Sequence, residues 1–166
     1  MSAKAGDRAP SFDLESDRGE RVSLDDFSGR WLVVYFYPKD NTPGCTRQAQ
    51  AFTLAAPRLE KLGATVVGIS KDSAKSHCGF RDKNAITFPL LSDSDLEVHK
   101  AYGAWGVKTM YGKKVEGTIR STFLVAPDGV IARAWTGVRV DGHVDAVVEA
   151  LEQARSRLGA KKPART

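Results

Sequence analysis

The chain has 166 residues, 42% apolar and 27% charged, the balance of one globular domain with a single core rather than a disordered or fibrous chain. No run approaches the roughly 20 apolar residues of a membrane-spanning helix, and Met1–Asp7 lacks the apolar stretch of a secretory signal, so a cytoplasmic protein without a membrane partner is expected. The net charge of +5 does not argue for a nucleic-acid partner, because five basic residues and no acid fall between Arg155 and Thr166, while the other 154 residues carry 20 basic and 20 acidic groups.

In chain order, Phe12–Leu14 and Glu20–Leu24 flank the turn-forming Ser16-Asp17-Arg18-Gly19 and predict an N-terminal hairpin. Leu32–Tyr37 is continuously apolar and rich in β-branched and aromatic residues, as in a strand buried on both faces. A loop dense in breakers follows, Pro38 to Gly44. From Cys45 the pattern turns helical to about Leu62, with Gly63 as C-cap and Pro57 inside, where it should kink or divide the helix. Thr65–Ser70 reads as a second buried strand, parallel to the first through a right-handed crossover, and Ser73–Asn84 as a helix. Ser94 with Glu97 suggests a capping box for a helix through Tyr102, ended by Gly103. Met110–Lys114 reads as an exposed loop. Thr122–Ala126 and Val130–Thr136 flank Pro127-Asp128-Gly129 as a hairpin, and Val144–Leu158 as a closing helix. The order predicts an α/β fold with a central mixed sheet flanked by helices, one domain over residues 1–158 and a basic, disordered tail over 159–166.

Two cysteines, Cys45 and Cys78, are too few for a disulfide scaffold or a four-cysteine zinc site. His77, His99 and His143 have no ligand spacing, so no metal and no organic cofactor is expected; His77 is expected on an exposed helix face. Trp31, Trp105 and Trp135 read as packing groups. Cys45 stands in the first turn of a helix that follows a central strand. Unpaired backbone N–H groups and the positive end of the helix dipole favour a thiolate there. Thr42 can place a hydroxyl beside the sulfur, and Pro38 and Pro43 stiffen the loop. A free cysteine is otherwise a small buried hydrophobe, and the flanking residues are what favour the reactive reading over that one.

The stretch Tyr35–Phe52 resembles the peroxidatic-cysteine motif of the peroxiredoxins, in the bacterioferritin-comigratory-protein (PrxQ) branch. Further similar segments follow in order along the chain: Ala5-Gly6-Asp7, Ala9-Pro10, Leu24–Phe27 with Gly29, Phe88–Asp93, Tyr102–Gly106 and Arg120–Leu124. The resemblance implies a thioredoxin-like fold and a peroxidase for hydrogen peroxide and alkyl hydroperoxides that works through a sulfenic acid on Cys45. It implies that Thr42 and Arg120 orient the peroxide and that Pro38 and Gly44 line its site, with Arg47 a second cation better suited to the helix surface. Ionisation alone is not enough for such a role. Moving a thiol from about 8.5 to about 6 raises the thiolate fraction only about 30-fold at neutral pH. Fast attack also needs an aligned O–O bond and fixed donors for the leaving oxygen.

Many branch members carry a second cysteine five residues after the first, where this chain has Gln50. Others carry it on the helix after the next strand, and Cys78 lies on that predicted helix. The resemblance then implies a Cys45–Cys78 disulfide reduced by thioredoxin or a similar dithiol protein, in a monomer, with a dimer as the alternative state. A one-cysteine cycle with an external thiol stays open, as does a thioredoxin-like redox sensor that is no peroxidase. A disulfide reductase would need Cys-x-x-Cys, and Gln48 occupies the second cysteine's place.

Overall fold

The computed structural model describes residues 3–161. Strands β1 (Asp13–Ser16) and β2 (Arg21–Ser23) form the N-terminal hairpin, followed by a 3-10 turn at Leu24–Phe27. Then come β3 (Trp31–Phe36), α1 (Pro43–Lys61), β4 (Ala64–Ser70), α2 (Ala74–Asn84), β5 (Leu90–Ser92) and α3 (Glu97–Tyr102). Strands β6 (Trp105–Met110), β7 (Lys113–Thr118), β8 (Ser121–Val125) and β9 (Ile131–Thr136) precede α4 (His143–Lys161). One seven-stranded sheet has the order β2-β1-β5-β4-β3-β8-β9, and β6 and β7 form a separate two-stranded ribbon. Strand β3 pairs in parallel with β4, as expected, and antiparallel with β8. The sheet is mixed, with helices on both sides. No helix among the described residues is long and apolar enough to cross a membrane.

All six residues of β3 are buried, and they alternate between two cores because side chains in a strand alternate between faces. Trp31, Val33 and Tyr35 join Phe52 and Leu59 of α1, Phe80 of α2, and Val147 and Leu151 of α4. Leu32, Val34 and Phe36 join Phe12, Val98 and Tyr102 of α3, Phe123 and Ile131. Both faces of the central strand are therefore dry, which explains the unbroken apolar run. Helix α1 continues across Pro57 without division. Its neighbours hold it: Phe52 and Leu59 on either side are fully buried, and their packing outweighs the backbone bond that proline removes.

Three sequence expectations are corrected. The helix at Glu97 starts from Leu96 in a left-handed conformation with no side-chain capping box. Asp93 takes that role instead, its carboxylate accepting from the backbone N–H of Val98 at 3.3 Å and of His99 at 2.7 Å. Burial works against the Asp93 charge, but the His99 ring and these backbone donors outweigh it and hold the carboxyl below its usual range. Met110–Lys114 is the tip of the β6–β7 hairpin rather than a plain loop, with Tyr111 and Gly112 both at positive φ, as a two-residue turn of this kind requires. The closing helix runs to Lys161, three residues beyond the predicted end; residues 162–166 of the basic tail lie outside the described residues.

Gly68 of β4 sits directly opposite Tyr35 of β3, whose ring lies across it. A Cβ at position 68 would stand 3.0 Å from Tyr35 Cζ and Oη and 3.1 Å from Leu90 Cδ2. These groups are fully buried and have nowhere to move. Gly68→Ala is therefore expected to destabilise the fold by about 1–3 kcal/mol, read as a lower urea midpoint; an unchanged midpoint would show that this core can yield.

Candidate active site

The carboxyl end of β3 opens into the loop 37–42, and α1 begins at Pro43, so Gly44 and Cys45 occupy its second and third positions. The first α1 bond runs from Thr46 N–H to the Thr42 carbonyl at 2.9 Å, which leaves the N–H groups of Gly44 and Cys45 ahead of the ladder. Cys45 is only 1% exposed. Pro38, Thr42, Gly44 and Arg120, all half-buried, surround the approach to it. Thr42 is the N-cap residue, yet its hydroxyl donates to the Lys39 carbonyl at 2.9 Å rather than to the helix. Having placed its proton there, the Thr42 oxygen can only accept from a ligand.

Arg120 lies between β7 and β8. The antiparallel pairing of β8 with β3 puts Ser121 opposite Phe36, which brings the preceding residue to the mouth of the loop. Its Nη2 donates to Cys45 Sγ at 3.4 Å, and its Nη1 donates to Gln48 Oε1. One guanidinium thus bridges the thiol and a residue one turn further along α1. Gly44 leaves room for it, since a Cβ there would come within 3.3 Å of Nη2. Arg47 faces outward instead and pairs with Asp141, as the sequence suggested.

Two functional neighbours were missed from the sequence. Gln48 is fully buried, and its Nε2 has no hydrogen-bond partner among the described residues; neither has the Tyr35 hydroxyl. Burial first, then Cys45 and Asp40, pushes the Tyr35 phenol well above its usual range, so it remains a protonated donor. The spacing of Gln48 three residues after Cys45 puts both on one face of α1, and that was the available signal.

His77 is buried, not exposed: its Nδ1 lies 2.8 Å from Asp40 Oδ2 and its Nε2 3.0 Å from the Leu91 carbonyl. Asp40, Asp72 and His77 place ligand-type atoms within 4.8 Å of one another. Those atoms already exchange hydrogen bonds with Tyr37, Ser70, Ser76 and the backbone, so the cluster is satisfied as it stands. Cys78 is exposed on α2, and among the described residues its thiol reaches only Asp82, at 4.0 Å. Both cysteines are free, and they are not bonded to each other in this structure.

The chain is similar to known proteins in sequence and in fold. The profile of the AhpC/TSA family fits residues 5–134. The peroxiredoxin Bcp of Xanthomonas campestris is 46% identical over 146 residues, 87% of this chain and 91% of that protein. A Xylella fastidiosa PrxQ structure, solved as a cysteine-to-serine mutant, superposes with a TM-score of 0.88 at 41% identity, covering 93% of this chain and 99% of that one. The Xanthomonas campestris bacterioferritin comigratory protein, studied for its alkyl peroxide reduction activity, superposes at 0.82 with 44% identity over 86% of this chain and 91% of its own.

His143 closes the site from α4. Its Nε2 lies 2.8 Å from Thr122 Oγ1, and its ring meets Trp135 and Phe52 edge to face. Burial, and then the nearby Arg120 cation, lowers its pKa from 6.5 to about 4. The unfolded chain binds this proton between pH 6.5 and 4 while the folded chain does not, so stability falls as pH drops through that window and levels off below it. The urea midpoint is expected to fall over the window, and less steeply in His143→Gln. Parallel slopes would remove His143 as the cause.

Proposed function

The chain belongs to the AhpC/TSA family as a peroxiredoxin of the Bcp/PrxQ kind, a thiol-dependent peroxidase, and on that premise we propose that Cys45 is its peroxidatic thiol, with Arg120 and Thr42 as the groups that orient the peroxide. The observation that carries the reading is the 3.4 Å contact of Arg120 Nη2 with Cys45 Sγ at the start of a helix. The Thr42 oxygen accepts from the O–H of the bound peroxide, while the guanidinium and the N–H groups of Gly44 and Cys45 face the oxygen on which charge develops. Pro38 fixes the loop on the other side. The Cys45 thiolate attacks the protonated oxygen, the S–O bond forms as the O–O bond breaks, and the departing alkoxide or hydroxide takes a proton from water. The products are the sulfenic acid and an alcohol or water.

Hydrogen peroxide and alkyl hydroperoxides are the substrates in this reading, supported by the alkyl peroxide reduction of the Xanthomonas campestris relative. Cys78 then resolves the sulfenic acid as a disulfide, which thioredoxin or a similar dithiol protein reduces in the cytoplasm, and the enzyme works as a monomer. A second reading has its own observation. Helix α2 turns His77 and Phe80 inward and leaves Cys78 exposed, so a bridge to the buried Cys45 requires α2 to open. Without that opening, an external thiol would resolve Cys45 directly.

Intact mass after one equivalent of hydrogen peroxide separates the two. A loss of about 2 Da, absent in Cys45→Ser and in Cys78→Ser, is the expected result. A gain of about 16 or 32 Da that needs only Cys45 would establish the one-cysteine cycle. Arg120→Ala is expected to slow Cys45 oxidation by roughly 100- to 1,000-fold, measured as the second-order rate with peroxide. An unchanged rate would take Arg120 out of the mechanism.

A further inference from the structure

Cys78 faces solvent, but the two residues before it are fastened to the loop that leads into α1. Ser76 Oγ donates to Asp40 Oδ2 at 2.7 Å, and His77 Nδ1 lies 2.8 Å from the same oxygen. The Leu91 carbonyl can only accept, so His77 Nε2, at 3.0 Å, carries a proton. Asp40 Oδ1 accepts from the Tyr37 hydroxyl at 2.6 Å, and the Asp40 backbone N–H donates to Asp72 at 2.8 Å. His77 and Asp40 are both buried, so losing a hydrogen-bond partner there carries the cost of a desolvated polar group. Asp40 is two residues before Thr42 and five before Cys45.

We propose that Asp40, Ser76 and His77 form a latch that sets how long the sulfenic acid on Cys45 survives before Cys78 reaches it. The proposal rests on the reading of Cys78 as the resolving thiol. Resolution forms the Cys45–Cys78 S–S bond and breaks the Cys45 S–O bond; the Cys78 thiol proton leaves with the hydroxyl as water. On a helix Cys78 points about 100° away from His77. Turning its sulfur inward therefore unwinds the turn that seats His77 and strips two hydrogen-bond partners from the buried Asp40 side chain. The far side of the turn is tethered as well, because Arg81 Nη1 donates to Asp17 Oδ2 at 2.9 Å and to the Phe88 carbonyl at 3.1 Å. Between these anchors stands Gly79, beside open space and with the lowest helix propensity apart from proline. The strain of opening falls there. While the latch holds, the loop keeps its packed geometry for peroxide, and a second peroxide can carry the sulfenic acid on to sulfinic acid.

Rapid-quench intact-mass kinetics on the full chain test this, with wild type, Ser76→Ala and His77→Gln, each compared with the same protein carrying Cys78→Ser, which cannot take the second step. The wild type is expected to gain about 16 Da and then pass to a loss of about 2 Da. Both latch variants should leave the first step within about twofold and speed the second about tenfold, the effect of one hydrogen bond to a charged group. They should also accumulate less of the form about 32 Da heavier under excess peroxide. A general loosening of the fold would disturb both steps together. A second step that is unchanged or slower in Ser76→Ala, whose half-buried side chain can be lost without unfolding the protein, overturns the latch. A wild type that never loses about 2 Da overturns the resolving role of Cys78 instead.

Discussion

The guanidinium of Arg120 is the joint on which the site depends. It touches Cys45, 75 residues away in the chain, and Gln48, 72 residues away. Nothing local brings these groups together; the register of β8 against β3 does. Because Ser121 pairs with Phe36, the cation is delivered at the strand end where the chain leaves the sheet to start α1. Open α/β sheets place ligands at such carboxyl ends, where helix N-termini and loops converge. The deep packing of β3 on both faces fixes that register, since a one-residue slip would exchange its two apolar sets.

The parts legible in the sequence are those written in consecutive residues. The apolar run of β3, the breaker-rich loop, Cys45 in the first turn of α1 and the hairpin around Pro127–Gly129 all show in local pattern. The illegible parts are those decided by partners far along the chain. His77 looks like a surface residue within its own helix, and only Asp40 and the Leu91 carbonyl, 37 and 14 residues away, make it an interior one. Ser94 and Glu97 have the spacing of a capping box, yet Asp93 is better placed because β5 ends beside it. The β6–β7 ribbon carries few alternating apolar residues, for Val107 and Val115 are exposed, so its strands give no buried face to detect. Pro57 shows the same limit from the other direction: a local rule against helix gave way to a buried stripe.

The interior polar groups follow one pattern. His77 is joined to Asp40, His99 to Asp93 and Thr118, and His143 to Thr122, and none of these histidines is exposed. Each ring spans elements that hydrophobic contact alone would let slide, the loop against α2, α3 against β7, and α4 against β8. Directional bonds in a low-dielectric interior carry a large cost when broken, so they select one arrangement among many of similar apolar burial. Among the described residues, the two unpartnered buried donors, Tyr35 Oη and Gln48 Nε2, depart from the pattern beside Cys45.

The central position of β3 also has a meaning for synthesis on the ribosome. Its parallel neighbour β4 follows after one helix, but β8 arrives about 85 residues later, and long loops close slowly against chain entropy. The thiol emerges from the tunnel long before the cation that is to face it. Until the strand bearing Arg120's successor residues docks, an unfinished chain holds a cysteine without its partner. The Arg120–Cys45 contact thus forms with the last strands of the sheet, and a truncated product carries the sulfur without the guanidinium that faces it in the finished fold.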